Sequence, residues 1–263
     1  MPILRAGDTS LHFVDRGQGP RVVVLLHAFP LHAGMWARQI ATLSAHHRVI
    51  APDARGFGES REVSEALTPA MIAADALALL GELGIDRAIV CGLSMGGYAA
   101  LELYRQAPSL VQGLVLADTR AAAETTPEGR ANREKLAREV LEKGIDWIAG
   151  EVTPKLVAPD ASLQVVAEVR RLIGENTPQG LAAAQRGMAL RADSRELLGQ
   201  IACPTLVLVG SVDALTPPSE AESMASAIPQ SRLVVLEGAG HLSNLEAPEA
   251  FDAALLRFIG ELD

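Results

Sequence analysis

Three residues able to do covalent chemistry stand at punctuated points of the chain: Ser94, Asp213 and His241. Ser94 sits in Cys91-Gly92-Leu93-Ser94-Met95-Gly96-Gly97, at the end of the apolar run Arg87 to Val90. This is the spacing of a nucleophile elbow, where a strand turns sharply into a helix. A serine at the tip is held in a strained, positive-φ conformation only if its neighbours have little side chain to clash, and Gly92 and Gly96 supply that room. A serine hydroxyl is a poor nucleophile at neutral pH, so the elbow needs a histidine to accept its proton and a carboxylate to orient that histidine. Asp213, in Val209-Gly210-Ser211-Val212-Asp213-Ala214-Leu215-Thr216-Pro217, and His241, in Glu237-Gly238-Ala239-Gly240-His241-Leu242, supply both. No other histidine follows the elbow. Asp118, in Leu116-Ala117-Asp118-Thr119, follows an earlier strand and is the alternative acid.

The elements that must position these residues are legible as short, continuous apolar runs: Arg21 to His27, Arg48 to Ala51, Arg87 to Cys91, Gly113 to Ala117, Thr205 to Val209 and Leu233 to Leu236. Continuous runs fit strands buried on both faces, as in a parallel sheet covered by helices on either side. Between them lie helical patterns such as Thr68 to Leu83, with Thr68 as cap and Pro69 in the first turn. The order Ser, Asp, His is the one expected when each residue rides a loop at the carboxyl end of a parallel strand. Leu11 to Asp15 alternates instead and precedes the turn-rich Arg16-Gly17-Gln18-Gly19-Pro20, which predicts an antiparallel edge hairpin leading into the next strand. Between Arg120 and Arg191 helical segments follow one another without a strand, with Thr126-Pro127 and Thr177-Pro178 as helix starts. The expected division is a core segment over 1–119, an all-helical lid over 120–191 inserted after the sixth strand, and a second core segment over 192–263.

Composition narrows the partners. The 263 residues are 49% hydrophobic and 21% charged, enough for one large domain with an inserted subdomain and too apolar for disorder. The net charge of -9, without a cluster of Lys and Arg, argues against nucleic acid. The N-terminus has no signal-peptide core and no later run is long enough to span a bilayer, so the expectation is a soluble cytoplasmic protein without a membrane partner. Cys91 and Cys203 both border strand-like runs and are expected to be inert buried thiols rather than a disulfide. No Cys, His and carboxylate cluster has metal-site spacing, and no metal or cofactor is expected. Association into a homo-oligomer is left open.

Four motifs in the correct order carry a resemblance: His27-Ala28-Phe29-Pro30, Asp53-Ala54-Arg55-Gly56-Phe57-Gly58-Glu59-Ser60, the elbow, and the Asp213 and His241 loops followed by Asn244-Leu245-Glu246-Ala247-Pro248-Glu249. Over essentially its full length the chain resembles the serine-nucleophile branch of the α/β-hydrolase fold family. It is similar to small bacterial esterases, cofactor-free haloperoxidase-like enzymes and oxoadipate enol-lactone hydrolases. The resemblance implies that Ser94 attacks an acyl carbon, His241 acts as general base and then acid, and Asp213 fixes the imidazole tautomer. It also implies an oxyanion hole from the Met95 and Phe29 N–H groups, with a small-molecule ester or lactone and water as the reacting partners. Enol-lactone hydrolysis, carbon–carbon bond hydrolysis and perhydrolysis are the alternatives on the same triad, and a ligand receptor retaining the fold is the rival from another class. Serine at position 94 argues against the aspartate-nucleophile dehalogenase and epoxide hydrolase designs.

One departure concerns the oxyanion loop, where many relatives have glycine and this chain has Ala28. A methyl group there is unfavourable if the backbone needs positive φ. His27 is expected to brace that loop by bonding backbone carbonyls, and Asp53 and Arg55 to tie down a turn. A mostly aliphatic pocket is expected from Trp36, Leu242, Phe29 and Met95 on the sheet side, and Trp147, Met188 and Leu156-Val157 on the lid side.

Overall fold

The order of elements is an alternation of apolar strands with helices, after an opening pair of strands. The computed structural model describes residues 3–124 and 126–262; the outermost residues of the two expected core segments (1, 2 and 263) and position 125 of the expected lid lie outside the described residues. The strands are β1 (Ile3–Ala6), β2 (Thr9–Arg16), β3 (Val22–Leu26), β4 (Arg48–Pro52), β5 (Ala88–Leu93), β6 (Val111–Ala117), β7 (Thr205–Gly210) and β8 (Ser231–Leu236). The helices are α1 (Ala37–Leu43), α2 (Pro69–Glu82), α3 (Met95–Gln106), α4 (Pro127–Lys143), α5 (Ile145–Leu156), α6 (Leu163–Gly174), α7 (Pro178–Ala189), α8 (Arg195–Leu198), α9 (Pro218–Ala227), α10 (Ser243–Glu246) and α11 (Pro248–Gly260).

The strands form one sheet in the order β1-β2-β4-β3-β5-β6-β7-β8. Every pairing from β4 to β8 is parallel, and β2 joins antiparallel to β1 and β4. Each residue of β5 and β7 is buried, as continuous apolar runs demand of central parallel strands. Helices α1 and α11 meet each other and β4, β7 and β8, while α2 and α3 meet each other and β1, β2, β3, β5 and β6. The sheet is thus sandwiched between helices.

The antiparallel edge exists, but its expected connection does not. β2 forms a hairpin with β1 across Gly7, at φ +62°, and its other partner is β4 rather than β3. The Arg16 to Pro20 stretch is instead a crossing segment: Gly17 and Gly19 lie directly on the backbone of Ser44, His46 and His47, where a Cβ would collide. This lets β3 take an interior place between β4 and β5.

Five helices, α4 to α8, run between β6 and β7 without an intervening strand, the first four of them within 120–191. Thr126 and Thr177 each accept a hydrogen bond from the N–H three residues on, at Gly129 and Gly180, with proline at the first helical position. Helix α7 lies against the 56–68 loop: the Leu67 N–H donates to the Ala183 carbonyl at 2.9 Å, and Gly187 rests on the Leu67 carbonyl.

Candidate active site

The elbow shows why its glycines are needed. Ser94 lies at φ 55° and ψ −112°, one of two non-glycine residues with positive φ among the described residues. A Cβ on Gly92 would collide with the Gly96 carbonyl, and one on Gly96 with the Leu26 carbonyl. The strained turn is tied down by Ser94 N–H donating to the Ala117 carbonyl at 2.9 Å and Thr119 Oγ1 donating to the Ser94 carbonyl at 2.9 Å.

Three loops at the carboxyl ends of β5, β7 and β8 converge. His241 Nε2 stands 2.8 Å from Ser94 Oγ, and its Nδ1 stands 2.8 Å from Asp213 Oδ2. Asp213 is further held by the Leu215 and Thr216 N–H groups on Oδ1, at 2.8 and 3.0 Å, and by the Thr216 hydroxyl on Oδ2 at 2.6 Å. Burial alone would raise the Asp213 carboxyl, but His241 and the Thr216 donors outweigh it and hold the group below its ordinary value. An ionised carboxylate on Nδ1 fixes that nitrogen as donor and turns Nε2, as acceptor, toward the serine proton.

Asp118 does not compete for the imidazole in this arrangement. It lies behind the site at φ 44°, accepting from Gly210 N–H at 2.9 Å and from the Ser243 hydroxyl. Burial pushes its carboxyl up to about 7, against the opposing pull of His241 and Ser243.

The N–H groups of Met95 and Phe29 have no hydrogen-bond acceptor among the described residues. Met95 opens α3, so its N–H lies at the positive end of that helix beside Ser94. The Ala28 departure carries no backbone penalty, because Ala28 is not among the positive-φ residues; its N–H points to Met35 Sδ at 3.2 Å. His27 braces the loop in a different way from that expected. Its Nδ1 meets one carbonyl, that of Ala28, at 3.0 Å, whereas Nε2 accepts from the Ala54 N–H at 3.0 Å. Burial lowers its pKa to about 4, the neutral form that such an acceptor role requires. Asp53 accepts from the Ala33 and Glu59 N–H groups, and Arg55 pairs with Asp75 at 2.6 Å, both as loop ties.

Ser94 and His241 open into a cavity of about 470 Å³ beneath the inserted helices. Phe29, Trp147, Leu156 and Met188 are among its lining residues. Trp36 is not: it is fully buried against Phe251 of α11, with ring centroids 6.0 Å apart. Leu242 is also sealed in the core, its N–H tied to the Leu156 carbonyl at 3.1 Å, and Val157 and the Met95 side chain lie outside the lining. The cavity is not mainly aliphatic either, since Tyr98, Arg120, Arg133 and Gln185 share its wall. Tyr98 had a signal in the sequence, one helical turn after Ser94, as Thr216 had three residues after Asp213.

Cys91 and Cys203 are unpaired, Cys91 buried and Cys203 half-buried. Burial raises both thiols, Cys203 to about 11, away from reactive thiolate character.

A strand-to-helix elbow bearing serine, in a mostly parallel sheet with histidine and aspartate on later strand ends, defines a class of fold and site together. The chain belongs to the alpha/beta hydrolase fold family, whose model matches residues 21–248, and it is an α/β-fold hydrolase. It is 31% identical to 3-oxoadipate enol-lactonase 1 of Acinetobacter baylyi over 252 residues, covering 94% of this chain and 91% of that protein. It is likewise 31% identical to a pimeloyl-acyl-carrier-protein methyl ester esterase of Nitrosomonas europaea over 257 residues, 92% and 96% of the two chains. Among solved structures it resembles a thermophilic esterase from Thermogutta terrifontis, with a TM-score of 0.93, 41% identity and coverage of 97% and 94%.

Proposed function

We propose that this hydrolase cleaves a carboxylic ester or lactone of a small molecule through an acyl-enzyme on Ser94. The observation that carries the proposal is the unbroken line from Asp213 through His241 to the Ser94 hydroxyl, with both contacts at 2.8 Å and the hydroxyl facing a cavity. In acylation Ser94 Oγ attacks the carbonyl carbon while His241 Nε2 takes its proton. Collapse of the tetrahedral adduct breaks the bond to the leaving oxygen, to which His241 returns the proton. Water then enters, gives its proton to His241 and attacks the acyl carbon, and the acid leaves as Ser94 regains its hydrogen. The Met95 and Phe29 N–H groups receive the developing oxyanion, each contributing roughly 3 to 4 kcal/mol in the transition state. Residues 120–191 act as the lid that shapes the cavity. Free thiols at Cys91 and Cys203 fit a reducing, cytoplasmic setting.

Enol-lactone and ester cleavage are the same acyl transfer on this site, and relatives with both kinds of name support keeping them together. The test is reaction with a serine-directed phosphonate, followed by mass mapping, alongside hydrolysis of short 4-nitrophenyl esters. A covalent adduct on Ser94 and turnover abolished by Ser94→Ala are expected. Neither adduct nor turnover across several chain lengths would overturn the proposal in favour of a ligand receptor.

A further inference from the structure

The cavity beside Ser94 carries arginines that form no ion pair among the described residues, in a wall that also holds Lys135, Lys155, Glu139 and Glu151. Arg120, just after β6, and Arg133, on α4, both line it, and Arg191, after α7, lays its guanidinium 4.0 Å from the centre of the Tyr98 ring in the same wall. Among the described residues, no carboxylate oxygen lies within the 4.0 Å of an ion pair from any of these three groups. Arg133 instead donates to Gln185 Oε1 at 3.0 Å, and Arg191 to the carbonyls of Ala121 and Ala122. The Nε atoms of Arg120 and Arg191 are buried without a partner.

This is not for want of acids in a chain with 32 Asp and Glu against 23 Lys and Arg. On the same two helices Arg186 of α7 pairs with Glu134 of α4 at 3.0 Å, and elsewhere Arg48 pairs with Asp15 at 2.8 Å. On the cavity side Arg120 and Arg133 stand in one wall without an ion pair among the described residues, although Glu139 and Glu151 share that wall, Glu139 being taken by Lys143 at 2.8 Å. Burial presses Arg133 and Arg191 below their ordinary values and repulsion from Arg120 adds to it on both, against the pull of Tyr98 on each, of Glu124 on Arg133 and of Asp193 on Arg191. Desolvated guanidinium groups of this kind are stabilised by an anion that meets their planar fork. Because Gln185 occupies only part of the Arg133 fork while Arg191 is spent on two carbonyls, the N–H groups left on Arg133 and Arg120 suit the two oxygens of one carboxylate.

We infer that the substrate carries a free carboxylate, received by Arg133 and Arg120 with Arg191 supporting the Tyr98 wall, a few carbons from the scissile carbonyl. The spacing follows from Tyr98, whose N–H donates to the Ser94 carbonyl at 3.1 Å and which therefore stands one helical turn, ~5 Å, beyond the nucleophile. The inference rests on the hydrolase reading above and gives that site its substrate class: esters whose acyl chain ends in a free carboxylate.

The experiment compares mono-4-nitrophenyl glutarate with 4-nitrophenyl 5-methylhexanoate, in which an isopropyl group replaces the carboxylate, each corrected with Ser94→Ala as blank. The acid should show a kcat/KM roughly 10- to 100-fold higher, the range of a charge-assisted contact. That ratio, measured within one enzyme preparation, should fall toward one in Arg133→Gln and in Arg120→Gln. It should persist in Arg138→Gln, an exposed arginine on the same helix. A wild-type ratio of one or below, with the neutral ester still turned over, overturns the carboxylate inference and leaves the hydrolase reading standing. Turnover of neither ester overturns the hydrolase reading. Calorimetric binding of glutarate against glutaramide then decides the inference alone: tighter glutarate binding that Arg133→Gln abolishes upholds it, and equal binding overturns it.

Discussion

At the scale of single residues, two buried aspartates sit near one histidine and only one of them touches it. Asp213 bonds His241 Nδ1, whereas Asp118 gives its oxygens to Gly210 and Ser243. Asp213→Asn should therefore lower kcat by ~10⁴-fold, because an amide can hold the wrong imidazole tautomer. Asp118→Asn should stay within about tenfold of wild type, since asparagine keeps an acceptor for Gly210 and tolerates positive φ. Steady-state kinetics on one ester separates the two, and a reversed order would transfer the acid role to Asp118. Thr216 Oγ1 stands 2.6 Å from Asp213 Oδ2 and 3.2 Å from His241 Nδ1. The residue types and order of Ser94, Asp213 and His241 were readable because a glycine-punctuated loop follows each strand. The choice between the two acids needed coordinates, since both follow buried strands and only side-chain direction distinguishes them.

At the scale of elements, local signals are legible in the sequence and long-range pairings are not. The Thr-Pro helix starts depend on contacts three residues apart, so the chain displays them directly. The partner of β2 depends on β4, which begins at Arg48, well after β2 ends at Arg16, and alternation of Leu11 to Asp15 cannot encode it. The cavity lining was read least well, because the packing of α4 to α7 over the sheet decides it. Trp36 and Leu242 have the composition of pocket residues but face the core. Asn176, between α6 and α7, carries no local signal for the same reason. Its amide donates to the Pro30 carbonyl at 2.8 Å and its oxygen accepts from the Gly58 N–H at 2.8 Å, joining the inserted helices to the loop that carries Phe29. Asn176→Ala leaves both backbone groups unpaired and should cost roughly 1–3 kcal/mol of stability, with kcat falling more than KM rises as the Phe29 N–H loses its anchor. Thermal melts and ester kinetics check both halves. Gly96→Ala should be worse for the fold, since the new methyl meets the Leu26 backbone.

At the scale of the whole molecule, two buried titrating groups tilt stability in opposite directions. His27, depressed from 6.5 to about 4, favours the folded state above its unfolded pKa, and this contribution of roughly 3 kcal/mol is lost as pH falls from 6.5 to 4. Asp118, raised from 3.8 to about 7, imposes no penalty below its unfolded value, and its cost grows to roughly 4 kcal/mol as pH rises toward 7. Their slopes offset one another between pH 4 and 7. Asp118→Asn should unmask the histidine: its melting temperature relative to wild type should climb steadily from pH 4 to pH 7. A constant difference across that range would show that Asp118 is not protonated in the folded protein.

The backbone at Ser94, φ 55° and ψ −112°, belongs to a region that glycine occupies without penalty and serine does not. Strain of this kind costs of order 1–3 kcal/mol. Ser94→Gly should thus melt higher than the wild type while releasing no product, so that thermostability and turnover compete for one position. Directed selection for heat tolerance alone would discard the proposed nucleophile, and a screen for hardier variants of this enzyme must score catalysis in every round.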